Sequence, residues 1–316
     1  MLNVVGRRYW YFLLSLIIII PGTVSLVTNG LRLGTDFTGG TETELSIARS
    51  GQSVQLVNLV GKYATVSYVQ PEISNQKCPT DCRYLVRTKV TNLKQNAAIA
   101  KDLKKNYPGA KVLQINTVSG TIASQLTQQA IIAVIVAALA VLLYISFAFR
   151  NAPNPVRFGV AAIIAMLHDV LVVLGIFSIL GALANVEVDA PFFTAMLTII
   201  GFSVHDTIVI FDRIRENLAR RTGDPFGQIV NHSILQSFVR SINTSFTVVL
   251  TLLAVFLFTG ESIRYFVLAM LIGIISGTYS SIFNASQILV VWHNHEISKW
   301  IQARLGRGSA TPAQAA

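Results

Sequence analysis

The chain has 316 residues, of which 52% are apolar and only 13% are charged, and its mean hydropathy is +0.56. Soluble domains usually carry about 25% charged residues, so this composition indicates a protein that crosses a membrane several times. The net charge of +10 does not indicate a nucleic-acid-binding protein. Outside one long polar segment, nearly every Lys and Arg lies in alternate short connections between apolar runs, which is typical of the cytoplasmic loops of membrane proteins.

The first apolar run covers residues 9–27 and is preceded by Arg7 and Arg8. A basic start also opens a secretory signal peptide, but this run is too long for one, and no Ala-x-Ala cleavage site follows it. Residues 1–28 are therefore predicted to form a retained transmembrane helix with a cytoplasmic N-terminus.

Residues 29–120 contain the long polar segment. Alternation and helical spacing predict strands at 43–48, 64–69, 83–89 and 110–118, with helices at 52–62 and 92–106. The order βαββαβ is that of a ferredoxin-like α+β domain, in which two helices cover one antiparallel sheet. The segment offers no candidate nucleophile, acid pair or glycine-rich phosphate loop, so it is predicted to be a binding or mechanical module.

Both cysteines of the chain, Cys78 and Cys82, lie in this polar segment. If the segment faces the outside of the cell, they could close a small disulfide loop. The alternative is a pair of thiols in a turn. Two cysteines cannot complete a structural zinc site by themselves, so no metal is predicted there.

Five more apolar spans follow, at residues 129–149, 157–183, 191–211, 236–259 and 264–292. Basic residues concentrate in the connections of one side and in the tail, whereas the intervening connections are acidic or nearly uncharged. This distribution predicts six transmembrane helices, with both termini in the cytoplasm and the polar module outside. Residues 121–292 then form a five-helix bundle, 212–235 an amphipathic cytoplasmic connection and 293–316 a cytoplasmic tail.

Four ionisable residues lie within or at the edge of the spans, namely His168, Asp169, His205 and Asp206. Placing a carboxylate in hydrocarbon costs a few kcal/mol even on lenient scales, so such residues are functional candidates. Arg240 is predicted to meet Asp206 in the bundle interior. Helical spacing predicts that Arg240 shares one polar face with Ser233, Ser237, Thr244, Thr247 and Thr251.

A carboxylate that exchanges its basic partner for a proton can convert a proton gradient into movement. The alternative for Asp206 and Arg240 is a static buried ion pair that fixes helix register. His168 and Asp169 are interpreted either as a proton relay or as a polar pair that is satisfied across helices. His205 either tunes Asp206 or hydrogen-bonds a neighbour, and the second interpretation is favoured. A metalloprotease is disfavoured, because no His-Glu-x-x-His helix occurs.

Several motifs resemble those of the SecF family of bacterial protein-export membrane subunits. GTDFTGG at residues 34–40 is similar to the family's GxDFxGG signature, and GFSVHDTIVIFDR at 201–213 is similar to its fourth-helix signature. His168-Asp169 and RSINTS at 240–245 also match the family's pattern. The first signature contributes the residues Gly34, Asp36, Phe37, Gly39 and Gly40. The similarity covers nearly the whole chain, and its one departure is His205, where the family usually has Asn.

The resemblance implies a non-enzymatic subunit in the bacterial inner membrane. Its implied partners are SecD, the SecYEG channel, often YajC, and the translocating preprotein, and no nucleic acid. It implies no cofactor, with H⁺ as the coupling ion, Asp206 as the proton-carrying carboxylate and Arg240 as its partner. A proton-coupled small-molecule exporter of the resistance–nodulation–division type is the alternative, although its outer domains are usually larger than this module. An intramembrane hydrolase is a third interpretation, but this sequence lacks a nucleophile–base pair or a set of metal ligands.

Overall fold

The computed structural model describes residues 3–47, 53–62, 66–71, 82–89, 93–107, 109–150, 152, 154–221 and 223–296. Its elements in chain order are α1 (Arg8–Asn29), α2 (Thr35–Thr38), β1 (Gly40–Ile47), α3 (Ser53–Val60), β2 (Val66–Pro71), β3 (Cys82–Thr88), α4 (Leu93–Asn106), β4 (Lys111–Val118), α5 (Gly120–Ala148), α6 (Pro155–Ala184), α7 (Ala190–Arg220), α8 (Phe226–Phe258), α9 (Glu261–Ser280) and α10 (Ser286–His293). A π-helical turn, Ser281–Ala285, joins α9 to α10, so the last span is continuous.

Six helical spans in the described part of the chain are long and apolar enough to cross a membrane, as the sequence predicted. The central ones are α6, α7 and α9 with α10, where 50–61% of the most apolar stretch is buried. The corresponding share is only 6–11% for α1, α5 and α8. Both α1 and α5 pack on α6, and α8 packs on α7 and α9. The chain therefore folds as three inner helices with three outer helices around them.

Close backbone approach fixes α1 against α6 at a pair of glycines. A Cβ atom added to Gly175 would lie 2.6 Å from the Cα of Gly22, which no real side chain tolerates. One turn further along, the hydroxyls of Ser25 and Ser178 are 2.9 Å apart. Small residues let two helices approach closely in a membrane, where packing rather than water exclusion holds them together.

The polar module contains a four-stranded antiparallel sheet in the order β2-β3-β1-β4. Strand β1 is an inner strand, paired with β3 and β4, and its alternate residues Leu45 and Ile47 are almost fully buried. They share a core with Leu56 from α3 and Leu103 from α4. The observed strands and helices lie within a few residues of the predicted ones, and the short helix α2 was not predicted.

Both ends of the described chain meet at one end of the bundle. Asn231 near the start of α8 accepts hydrogen bonds from the backbone N–H groups of Val4 and Val5, at 2.8 and 3.2 Å. Arg8 forms an ion pair with Glu296 at 2.7 Å. These contacts place the start of α1, the α7–α8 connection and the end of α10 together, as expected for an even number of spans.

The glycine contact between α1 and α6 gives a test of the packing. Replacing Gly175 with Ala should lower the thermal midpoint of the purified chain, since overpacking costs about 1–3 kcal/mol. Gly201→Ala is the matched control, because Gly201 is also helical and a Cβ there meets nothing within 4 Å. The control should be neutral or slightly stabilising, by roughly 0.5–1 kcal/mol of helix propensity. Equal midpoints for the two variants would contradict the close approach.

Candidate functional site

Asp169 is fully buried in α6 and is the most completely hydrogen-bonded acid of the bundle interior. Ser203 of α7 donates to its Oδ2 at 2.6 Å, and Ser280 of α9 donates to the same oxygen at 2.7 Å. Ser276, also of α9, donates to Oδ1 at 2.7 Å. One carboxylate therefore connects all three inner helices.

His168 adds a fourth polar contact, with its Nδ1 3.0 Å from the Oδ1 of Asp169. Neighbouring residues on a helix point about 100° apart, and the sequence did not require the two to touch. The structure shows that the imidazole nevertheless contacts the adjacent carboxylate. Its other nitrogen, Nε2, is buried without a hydrogen-bond partner among the described residues, and the ring lies beside Tyr279. The three serines satisfy Asp169 across helices but leave His168 Nε2 unpaired, so both interpretations of the pair stay predictions.

Asp206 has the opposite surroundings. It is only 4% exposed, yet its Oδ2 has no hydrogen-bond partner among the described residues. The Ser241 hydroxyl of α8 lies beside this carboxyl, and its oxygen is also buried without a partner of good geometry. A buried carboxylate with an unpaired oxygen is costly to keep charged, so Asp206 is suited to gain and lose a proton.

Arg240 does not pair with Asp206 in this structure. No ion pair of Arg240 is found among the described residues, and its side chain is exposed on α8. The buried residues of α8 include a serine at every fourth position, namely Ser233, Ser237, Ser241 and Ser245. Arg240 precedes Ser241 and therefore points about 100° away from the serine that lies beside Asp206. The described chain does not form the predicted interior pair, so this pairing stays a prediction for the assembled protein.

Of the hydroxyl residues on the predicted polar face of α8, only Ser233 and Ser237 are buried in this chain. Thr244, Thr247 and Thr251 are exposed, and each donates to a carbonyl of its own helix at 2.8–2.9 Å. A threonine that bonds its own backbone does not need a polar partner on another helix. Within this chain α8 contacts mainly α7 and α9, which leaves most of its surface uncovered.

Arg240 lines an open cavity of about 410 Å³ between α5, α7 and α8. Asp212 and Val209 of α7 line the same cavity. His205 is exposed and lies on one helical face with these two residues, at steps of four and three. The exposed face of α7 that carries His205 therefore continues into the cavity that contains Arg240. Within the described ranges His205 forms no hydrogen bond to another residue, so the favoured neighbour bond stays a prediction.

A second group of hydroxyls includes Thr207, the residue that follows Asp206. The Oγ atoms of Thr207 and Ser281 are 2.8 Å apart, and Ser281 also donates to the backbone carbonyl of Ser203 at 3.1 Å. Ser281 begins the π-helical turn, a feature that is frequent at functional sites. Sequence analysis missed the roles of Ser203, Ser276 and Ser281. Only their proximity to the signature and to the small residues of the last span could have indicated them.

The glycine-rich signature joins the module to the bundle. Gly39 and Gly40 both have positive φ values, +73° and +152°. A Cβ on Gly40 would lie 2.6 Å from the carbonyl oxygen of Thr88 in β3, and one on Gly39 would lie 3.2 Å from Gly120 at the start of α5. Only glycine fits both the backbone conformation and the available space.

The other signature residues contact the connection between α6 and α7. The N–H of Gly34 donates to the Val188 carbonyl at 2.8 Å. The Oδ2 of Asp36 accepts from the backbone N–H of Ala190, the first residue of α7, at 2.9 Å. The ring of Phe37 packs against Phe193 with centroids 4.8 Å apart. The signature is thus a structural attachment at the end of the bundle opposite the chain ends.

Only one of the two cysteines, Cys82, lies among the described residues. Cys78 lies outside the described residues, so its pairing with Cys82 stays a prediction, and Cys82 itself is buried in β3. Within the described ranges no group of three or more His, Cys, Asp or Glu residues could hold a metal ion.

The contrast between the two acids predicts different effects on stability. Asp169→Ala should leave three buried serine hydroxyls without their acceptor, at a cost of about 1–3 kcal/mol for each unsatisfied group. Asp206→Asn should change the thermal midpoint little, since Oδ2 accepts no hydrogen bond from the described residues. Thermal unfolding of the two variants in detergent is the measurement. If Asp206→Asn were the more destabilised of the two, the assignment of Asp169 as the structural centre would be refuted.

Comparisons with known proteins agree with this arrangement. The family described as "Protein export membrane protein SecD/SecF, C-terminal" matches residues 98–295, and the "SecD/SecF GG Motif" family matches residues 24–48. The protein translocase subunit SecF of Thermobaculum terrenum is 46% identical over 98% of this chain and 100% of that relative. The protein of the same name from Anaerolinea thermophila is 41% identical over the full length of both chains.

A solved structure also resembles the chain. The crystal structure of SecDF, a translocon-associated membrane protein from Thermus thermophilus, superposes with a TM-score of 0.81 at 31% identity. The alignment covers 93% of this chain but only 39% of the SecDF chain. On the family matches, the full-length relatives and the shared six-span architecture, this chain belongs to the SecF family of protein translocase subunits, and it is a multi-pass membrane protein.

Proposed function

We propose that this chain is the SecF half of a SecD–SecF assembly that uses the proton-motive force to help move preproteins across the bacterial inner membrane. The observation that carries the proposal is Asp206, a buried carboxyl group whose Oδ2 has no partner, in the middle of a transmembrane helix. An acid in this position is strained when charged, so its protonation state responds to a proton supply and to nearby charge. H⁺ is accordingly the proposed coupling ion, with no cofactor.

The partner that completes the ion path is proposed to be SecD. Thr194, Thr198, Gly201 and His205 form a small, polar face of α7 that is exposed in this chain. Such a face is suited to close helix packing and is a poor match for lipid tails. Arg240 borders the same region through the cavity that it shares with Asp212. Covered by the partner half, Arg240 would lie in a protein interior, where its charge can act on Asp206.

The polar module is proposed to be a ferredoxin-like domain on the outer side of the membrane. Its element order β1-α3-β2-β3-α4-β4 and its sheet order support that fold. Its outer location is supported by the basic connections, which cluster at the end of the bundle where the chain termini meet. By the same rule both termini are cytoplasmic. The module would then meet the preprotein that emerges from SecYEG, with YajC as a further partner.

The proton-coupled small-molecule exporter is the alternative from another functional class. The curated relatives that match the whole chain are translocase subunits, which does not favour it. Co-purification separates the two hypotheses, since the export role requires a SecD-like partner and an independent exporter does not.

Asp206→Asn tests the proton role directly. In inverted vesicles that contain the partner half, this variant should lose most of the gradient-dependent stimulation of preprotein translocation. The assembly itself should remain intact by gel filtration, because an amide replaces the carboxyl group with nearly the same shape. Unaltered gradient-dependent movement in the variant would remove the proton role from Asp206.

His205→Asn tests the departure from the family pattern. The imidazole is exposed and forms no hydrogen bond within the described ranges, so the variant should retain export stimulation in the same vesicle assay. Total loss of stimulation would mean that the ring has become essential in this chain.

A further inference from the structure

Arg87 connects the polar module to the membrane bundle through two carboxylates. It lies on β3, and its Nε donates to Oε2 of Glu42 on the neighbouring strand at 2.9 Å. Its Nη1 contacts Oε2 of Glu187, which belongs to the bundle. The side chains of Arg87 and Glu187 are only 15% and 11% exposed. A shielded ion pair of this kind is disrupted at much greater cost than a surface pair when one partner is removed.

Glu187 lies in the connection between α6 and α7, and backbone contacts hold this connection from the other side. The N–H of Val188 donates to the Arg32 carbonyl at 2.8 Å, and the carbonyl of Val188 accepts from Gly34 at 2.8 Å. Arg32 also forms an ion pair with Glu187 at 3.7 Å. The connection is therefore held on one side by residues 32–34, which lead into the module, and on the other side by the sheet of the module.

The two helices joined by this connection carry the two buried acids. Asp169 lies in α6 and Asp206 lies in α7. A tilt or slide of α7 against α6 must displace the short connection between them. Because the module holds that connection, the displacement reaches the module directly.

We propose that Arg87 is a positioning residue that transmits movement of α7 against α6 to the polar module. The inference rests on the proposed function, since it concerns how a change at the buried acids reaches the outside. Arg suits this role better than Lys, because one guanidinium can bind two carboxylates in a fixed geometry. Burial raises the pKa of the Glu187 carboxyl, and the charges of Arg87 and Arg32 oppose that shift. Without Arg87, a desolvated Glu187 would be expected to leave the contact for water.

The same strand provides a matched control. Arg83 lies four residues earlier on β3 and forms an ion pair with Glu44 of β1 at 3.5 Å. This pair is internal to the module and is more exposed, at 56% for the Arg83 side chain. Arg83→Met removes one arginine from the same sheet together with its ion pair to Glu44, a pair that does not involve the bundle. Any effect specific to Arg87→Met is then an effect of the module–bundle contact.

The experiment compares Arg87→Met, Arg83→Met and the unchanged chain, each co-purified with its SecD partner in proteoliposomes. Hydrogen exchange is followed at the amides of Gly34 and Val188, which bridge the junction, and at Leu45 and Tyr84 in the module core. Arg87→Met should accelerate exchange at the junction by on the order of tenfold while the module core stays protected. It should also lower gradient-driven translocation severalfold, and Arg83→Met should change neither quantity.

Unchanged junction exchange, or full translocation with a loosened junction, would overturn the proposal. If Arg87→Met also exposes the module core, the Glu187→Gln variant becomes the test of the proposal, because Glu187 lies outside the module. This variant must loosen the junction and lower translocation while Leu45 and Tyr84 stay protected, and failure to do so is equally decisive against the proposal. Asp206→Asn, measured in parallel, reports separately on the proton role. Survival of translocation in that variant would defeat the proposed function without altering the exchange result at the junction.

Discussion

The structure depends on one buried carboxylate and the three serines that surround it. Asp169 brings a charge-bearing group into the centre of the bundle, and the donors that satisfy it come from the two other inner helices. In hydrocarbon an unsatisfied polar group is expensive, so α6, α7 and α9 are bound to one another at this point. The outer helices pack on this centre. Because Asp169 is satisfied and Asp206 is not, the first acid can fix the helices while the second remains available to respond to protons.

The two His-Asp pairs of the sequence, at 168–169 and 205–206, have different surroundings in the structure. His168 is buried and contacts its neighbour, whereas His205 is exposed and its neighbouring Asp206 faces α8. The first pair is enclosed by helices of this chain. The second lies where α7 leaves a small, polar face uncovered, next to the cavity of Arg240. The proposed proton path thus lies at the edge of this half-bundle, where a second half can complete it.

Much of this fold could be predicted from composition and periodicity. All six spans were predicted, because long apolar helices give a strong signal. Their ends were less accurate: α5 begins at Gly120 rather than at 129, since its first turns are polar. The partners of the buried groups could not be predicted. Ser276 and Ser280 reach Asp169 only through the packing of α9 on α6, and the outward direction of Arg240 depends on which face of α8 is covered. Neither is encoded in local spacing.

The contact between the two ends of the chain has a mechanical consequence. Arg8 is bound to Glu296, and Asn231 holds the backbone that precedes α1. The first and last spans are therefore held together at that end, and separating them requires breaking the ion pair and both backbone hydrogen bonds. A rearrangement that keeps these contacts takes the form of shear among the inner helices, or of hinging at the other end, where Gly39, Gly40 and the α6–α7 connection meet the outer module.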